Sequence, residues 1–564
     1  MKAFNYLLSC SLAASFTLLA TTSHAQEAKG WDRTVRTADY LEPAIPRPAQ
    51  EQTAADRLRE FETRTGRKPN ILILLVDDLG YGDLGAFGGG AMLGAPTPNI
   101  DKLATEGLKL TSAYATPVCT PSRAALMTGR IPARSGLTRP LLASDHPTKN
   151  PWADEVSAAK LLSDNGYVTG LSGKWHIGEA KGMQPQDVGY DEFHGFLSVV
   201  SEYTQYMDSR KYSQLMLDPQ RLETFKSLSE YNGVVEGKKG GGLKIVYPLE
   251  TQKQMGNVDQ DFANWSVDFI KRAAKDNKPF YLIHAFAKVH FDNYAADGYE
   301  GRSPAKLPYR DAVVEVDDIV GRLTKTLQDA GQADNTFVFF TSDNGPEEDS
   351  YPDSGFTPFR SGKGTTWEGG VRVPGIAYWP GMIKAGRISD GLFDLMDLFN
   401  TSLALAGIKD KIPTERYIDG VDQSSFLLAD DGQTSRQAVF SYNQAEFSAI
   451  RWENFKGYFK VMQYDQPFSN ISMSTFSPVG VAPWIFDIYR DPKERITRSN
   501  GDYEWLYGPI LQLQTQHAAT LSNIRRRTSA SGSAAAAIPS RLAYPADILD
   551  RDWRPPSKSV GAVV

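Results

Sequence analysis

The sequence is poor in cysteine. Only Cys10 and Cys119 occur in 564 residues. The opening segment, MKAFNYLLSCSLAASFTLLATTSHAQ, pairs Lys2 with a short apolar run and ends in small residues at Ser23 and Ala25. This is the pattern of a secretory signal peptide cut after Ala25, and it would carry Cys10 away. The apolar core is short for a span and no basic stop-transfer flank follows, which argues against a stable membrane anchor. A periplasmic or secreted protein is expected. The remaining chain cannot form an internal disulfide, although thiols are normally paired in such compartments. Cys119 is then a buried bystander, a reactive thiol or a chemically altered residue. Excess positive charge is also missing. The net charge is −6, so no general polyanion-binding surface is implied and nucleic acid is excluded as a partner. Histidine is scarce, with seven in the chain, and no internal repeat is present.

What is present is a globular composition, 41% hydrophobic and 23% charged, enough for a large core. Residues 26–67 read as a polar, proline-bearing lead-in. From residue 68 to about 430, strand and helix patterns alternate. ILILLV (71–76) is a continuous apolar run, as in a strand buried on both faces. TPNIDKLATEGLKL (97–110) is expected to be a helix with a threonine cap, and SAAKLLSDNGY (157–167) another. YVTGLSG, PFYLIHAFA and NTFVFFTSDNG are expected strands, and DAVVEVDDIVGRLTKTLQDAG an amphipathic helix. The alternation predicts an α/β fold with a large, mainly parallel sheet flanked by helices. Residues 431–526 read as a smaller α+β domain with an antiparallel sheet and a helix near 503–526. Residues 527–564 read as a low-complexity linker and extended tail. The segment 198–255 is a long insertion of the kind that lines a site's entrance.

The chemistry gathers where strands end, the side on which open α/β sheets bind ligands. One strand runs into Asp77-Asp78 and another into Asp343-Asn344. These are hard oxygen donors suited to Ca²⁺ or Mg²⁺, although Asp before Gly also makes ordinary turns. Two more strands end in Lys174-Trp175-His176 and Lys288-Val289-His290, which places two histidines for acid–base work. Either histidine alone would also suit a structural role. PVCTPSRAALMTGR puts Cys119 at the start of a helix, where anions are favoured, with Arg123 one turn later.

The run C-T-P-S-R-A-A-L-M-T-G-R from Cys119 resembles the modification signature of type I sulfatases, the arylsulfatase group of the alkaline phosphatase superfamily. Gly166 to His176 matches that family's second signature, G-Y-x-T-x-x-x-G-K-W-H. DDLGYGDLGAFG, SDNGP, GKGTTWEGGVRVP and the pair RWENFKGYFKV and IFDIYRDPKE resemble further family blocks, together covering residues 69–495. The resemblance implies an alkaline phosphatase-like fold and hydrolysis of sulfate monoesters, either aryl sulfates or sulfated carbohydrates. It implies that a formylglycine-generating enzyme converts Cys119 to the aldehyde formylglycine. It implies one Ca²⁺, with Mg²⁺ as the alternative, held by Asp77, Asp78, Asp343, Asn344 and the altered Cys119. Arg123 and Lys174 would stabilise the ionised hydrate of the aldehyde. His176 would be the base that releases sulfate, and His290 and Lys363 would grip the sulfate and protonate the leaving oxygen. Around His290 the family more often shows P-H-x-P, where this chain has A-K-V-H-F-D. His284 is therefore the reserve candidate. A phosphonate or phosphate monoester hydrolase of the same superfamily is the alternative activity. Asn344, where those relatives tend to carry histidine, and the DDLGYGD block favour the sulfatase.

Overall fold

The computed structural model describes residues 31–143, 145, 150–199, 207–348, 350–462, 476–497 and 501–522. The segments read as signal peptide (1–25) and as linker and tail (527–564) lie outside the described residues, as does Cys10. Eleven strands make one sheet. They are β1 (Asn70–Val76), β2 (Leu108–Tyr114), β3 (Val168–Lys174), β4 (Glu192–Phe196), β5 (Gly233–Lys238), β6 (Leu243–Pro248), β7 (Phe280–Ala285), β8 (Thr336–Ser342), β9 (Arg372–Tyr378), β10 (Arg387–Ser389) and β11 (Phe393–Asp394). The order is β10-β2-β9-β8-β1-β7-β3-β4-β5-β6, with β11 also beside β2. The central group β8, β1, β7, β3 and β4 is parallel. The strands β9, β5 and β6 pair antiparallel on either side of it.

β1 explains why both faces are covered. All seven of its residues are buried, and its pleat sends alternate side chains to opposite sides. Ile71, Ile73 and Leu75 join a core containing Ala54 and Phe61 of α1 (Pro48–Thr65), Leu126 of α3 (Cys119–Thr128) and Phe399 of α6 (Asp397–Leu405). Leu72, Leu74 and Val76 join a second core, with Ile100 of α2 (Pro98–Glu106), Phe269 of α4 (Gln252–Lys275) and Leu323 of α5 (Pro308–Asp329). Truncating one of these aliphatic side chains to alanine costs about 2–5 kcal/mol. The long helix α4 opens with a capping box between Thr251 and Gln254.

In the C-terminal region β12 (Ala438–Asn443), β13 (Glu446–Trp452), β14 (Phe455–Tyr458) and β17 (Trp484–Asp487) form a separate antiparallel sheet. The pair β15 (Lys460–Met462) and β16 (Phe476–Pro478) stands beside it. Ile510 and Leu513 of α7 (Tyr507–Ser522) pack on that sheet with Ile450, Trp452 and Ile485. Among the described residues no helix is long and apolar enough to cross a membrane.

Three local expectations need correction. Residues 48–65 of the lead-in form a helix; only Ala54 and Phe61 of it are buried, so its sequence shows no helical apolar stripe. The expected helix 97–110 stops at Glu106, and Leu108 onward is β2. Thr97 gives α2 no side-chain cap, because its hydroxyl accepts from the Gly85 N–H and donates to Asp101. The 198–255 segment, expected to line the site's entrance, contributes the hairpin β5–β6 at the sheet's edge, and its Lys211 and Tyr212 bond Asp292, two residues beyond His290.

Candidate active site

The register of β1 against β8 aligns Val76 with Ser342, so both strands end at the same level. Asp343 donates its N–H to Val76 O at 3.1 Å, and Asp78 donates its N–H to Asp343 Oδ1 at 3.2 Å. Asp77, Asp78 and Asp343 are thereby brought to one edge, all fully buried. Asp78 holds a left-handed backbone at φ 59°, and so does His176 at φ 57°. Such strain is uncommon outside glycine and clusters at functional sites. Two glycines allow the close approaches. A Cβ at Gly345 would lie 1.8 Å from Gly369 O, and one at Gly173 would lie 1.8 Å from Ala285 O.

Cys119 is the first residue of α3, and its Sγ is aimed at this edge, 3.4 Å from Asp77 Oδ1 and 3.9 Å from Asp78 Oδ1. One donor atom each from Asp77, Asp78, Cys119 and Asp343 falls within 4.8 Å of the others. Burial, followed by the Asp343 carboxylate, holds the thiol well above its ordinary range. Asn344 donates Nδ2–H to Asp78 Oδ1 at 2.7 Å, while its Oδ1 is buried with no hydrogen-bond partner. Three crowded carboxylates and an orphaned amide oxygen fit a hard divalent cation.

Each of the three carboxylates is paired with a cation. Arg123 donates Nε–H to Asp343 Oδ2 at 2.9 Å and Nη1–H to Lys174 O at 2.8 Å. Lys174, the last residue of β3, pairs with Asp77 and lies 3.9 Å from Cys119 Sγ. Lys363 pairs with Asp78 Oδ2 at 2.6 Å and with Glu347 Oε2 at 3.0 Å. His290 Nε2 stands 3.7 Å from Asp78 Oδ2. Burial, then Lys363, depresses His290 to about 3. His176 is pushed well below its ordinary range by burial, then by Lys174 and Arg123. Both ring nitrogens of His176 are buried without a hydrogen-bond partner, and its carbonyl is held by Thr120 Oγ1 at 2.6 Å.

All ten residues singled out from the sequence therefore lie at one strand-end edge. Two others do not. His284 sits opposite Leu74 on the helix-covered face of β7 and bonds Ser266, so the reserve candidate is outside the site. Lys288 turns away to Glu315 on α5. Glu347, which bonds Lys363, was not singled out. Its only signal was its place after S-D-N-G-P.

A family model described as Sulfatase matches residues 69–408. The chain belongs to the sulfatase family. It is 35% identical to N-acetylgalactosamine-6-sulfatase of Canis lupus familiaris over 80% of this chain and 86% of that one. The crystal structure of PsFucS1 sulfatase from Pseudoalteromonas sp. superposes with a TM-score of 0.85 at 51% identity, covering 87% of this chain and 98% of that one. The phosphonate monoester hydrolase of Agrobacterium radiobacter shares the fold alone, with a TM-score of 0.52, 19% identity and coverage of 80% and 96%. This type I sulfatase is thus a sulfuric ester hydrolase with an alkaline phosphatase-like architecture.

Proposed function

We propose that this sulfatase acts on aryl sulfates or sulfated carbohydrates through formylglycine at position 119, installed by a separate maturation enzyme. The observation that carries the reading is the placement of the residue 119 side chain among Asp77, Asp78 and Asp343, at the N-terminus of α3. Support for the carbohydrate arm comes from the relative named N-acetylgalactosamine-6-sulfatase. We assign catalysis to residues 68–430 and the smaller domain to 431–526. We read the chain as exported, with residues 1–25 as the leader.

Asp77, Asp78, Asp343, Asn344 and residue 119 would hold a Ca²⁺. When bound, it lowers the pKa of a hydroxyl on residue 119 and orients the sulfate. The hydrated aldehyde carries two hydroxyls. Arg123 and Lys174 stabilise one of them as the alkoxide, which attacks sulfur. The S–O bond to the leaving group breaks, and the leaving oxygen takes a proton from His290, helped by Lys363. In the free site burial, then Lys363, disfavours a charged His290; the negative charge of a bound sulfate ester would favour it, so His290 would take up its proton as substrate binds. His176 is neutral and has free ring nitrogens. It removes the proton from the remaining hydroxyl, the C–O bond to sulfate breaks, and the aldehyde returns.

Rapid-quench kinetics test the assignment. His176→Ala should release one phenol per enzyme and stall as sulfated protein. His290→Ala should show no burst and should suffer least with 4-nitrophenyl sulfate, whose leaving group needs little protonation. Sulfated enzyme trapped in His290→Ala but not in His176→Ala reverses the two roles. A kcat/KM higher for phenylphosphonate than for 4-nitrophenyl sulfate moves the activity to the phosphonate hydrolases.

A further inference from the structure

His290 sits on the loop that follows β7. Its ring bonds the adjacent Phe291 carbonyl, stacks on the Phe291 ring and lies near Asp78. Two residues earlier, Lys288 is 5% exposed and points to the opposite side of the loop. Its ammonium meets Glu315 Oε2 at 2.6 Å, Gly256 O at 2.7 Å and Asp259 Oδ2 at 3.9 Å. Glu315 and Asp259 are fully buried. Asp259 accepts the N–H of Ala287 at 2.9 Å and of Lys288 at 3.2 Å. Glu315 also accepts from Gln260 at 2.8 Å. The loop is thus pinned to both α4 and α5.

The same loop is joined to the metal-side strand. Val289 donates its N–H to Asp77 O at 2.8 Å, and Asp77 donates its N–H to Lys288 O at 3.2 Å. The β1–β7 pairing therefore continues past the strand ends and sets the register of His290 against Asp77 and Asp78. Burying one ammonium and two carboxylates is costly unless geometry is tight. A hydrophobic residue would fill this space with less penalty, so stability alone is a poor reason for the cluster.

We propose that Lys288, Glu315 and Asp259 are positioning residues that fix His290 for protonation of the leaving oxygen. This rests on the reading of His290 as that acid. A displacement of about an ångström can cost a hundred-fold in a step that needs alignment. The loss should fall where proton transfer matters and leave the rest of the reaction alone.

The test is a series of aryl sulfates with graded leaving-group pKa, assayed on the matured, metal-loaded enzyme. Glu315→Gln keeps shape and hydrogen bonding, Lys288→Arg keeps charge, and Lys288→Met removes it. His290→Ala is the reference. Glu315→Gln should lose about ten- to a hundred-fold in kcat on the poorest leaving groups and little on 4-nitrophenyl sulfate, with KM unchanged. Lys288→Met should show the same slope more steeply, and Lys288→Arg should restore part of it. If Lys288→Met does not fold, Glu315→Gln decides. An equal loss across the series, or none, overturns the inference. A steep slope in His290→Ala with a flat one in Glu315→Gln overturns this inference alone. A flat slope in His290→Ala overturns the reading of His290 and this inference with it.

Discussion

Two buried charged regions draw on the 362–374 stretch, one through Lys363 and the other through Glu368 and Arg372, and use their polar groups differently. At the strand-end site, His176 has two ring nitrogens without hydrogen bonds and Asn344 an orphaned Oδ1. At the junction with the C-terminal sheet, Glu368 accepts from Lys456 Nζ at 2.8 Å and Tyr114 Oη at 2.9 Å and pairs with Arg372 Nη1 at 3.2 Å. Glu494 there accepts from Tyr458 Oη at 2.6 Å and the Glu368 N–H at 2.8 Å. Both carboxylates of the junction are filled by protein donors. Buried hydrogen-bonding capacity left unused is costly, and at the strand-end site a bound group would supply the missing partners. The junction, whose carboxylates are satisfied although Trp367 Nε1 and Arg451 Nη2 there are buried without a hydrogen-bond partner, holds the two regions of the chain together, with Trp367 packed against Tyr458 and Phe486.

The sharpest test of that contrast is Cys119→Ala. Activity should fall by roughly 10⁴-fold or more, as removal of a nucleophile does, with thermal unfolding hardly changed. Mass spectrometry of the wild-type peptide should show –CHO in place of –CH₂SH. Fully active protein carrying only cysteine would sink the formylglycine route. Lys456→Met attacks the other region. It leaves Glu368 buried with its nearest cation gone and should cost about 3–5 kcal/mol of stability, read by denaturant unfolding. An unchanged midpoint would erase the distinction.

His176→Leu should separate activity from stability. Turnover should drop about a hundred- to ten-thousand-fold, while removal of two unpartnered buried nitrogens leaves the melting temperature equal or higher. A clear fall in melting temperature would show that His176 supports the fold. The smallest effect concerns pH. Burial, then Lys456 and Glu368, act on Glu494, and the net result raises it from 4.5 to about 7. A raised folded pKa contributes stability that is full below 4.5 and lost as pH rises through about 7. Glu494→Gln should flatten the stability profile between those limits; an unchanged slope would place the titration elsewhere.

Much of the site was legible because its residues are fixed to strand ends. A continuous apolar run such as ILILLV suits a doubly covered strand, and the residues next in the chain, Asp77 and Asp78, emerge at the sheet's edge. The Cys119 run and the Gly166–His176 run each stay contiguous in the fold, so local spacing carried them. Helix α1 was not legible, because two buried residues in eighteen leave no period to detect. β2 was misread because LKL continues the apolar spacing of α2, and it is the pairing with β9, β10 and β11 that makes it extended.

The sequence by itself determined the kinds of group at the strand ends and the strands that deliver them. Only the tertiary structure decided which of those groups face the site. Lys174 ends one strand and Lys288 follows another of similar character, yet one pairs with Asp77 and the other with Glu315. Lys174 is still within β3, where the pleat dictates its direction. Lys288 lies beyond the end of β7, where no pleat applies, and the buried carboxylates of α4 and α5 draw its ammonium away from the site.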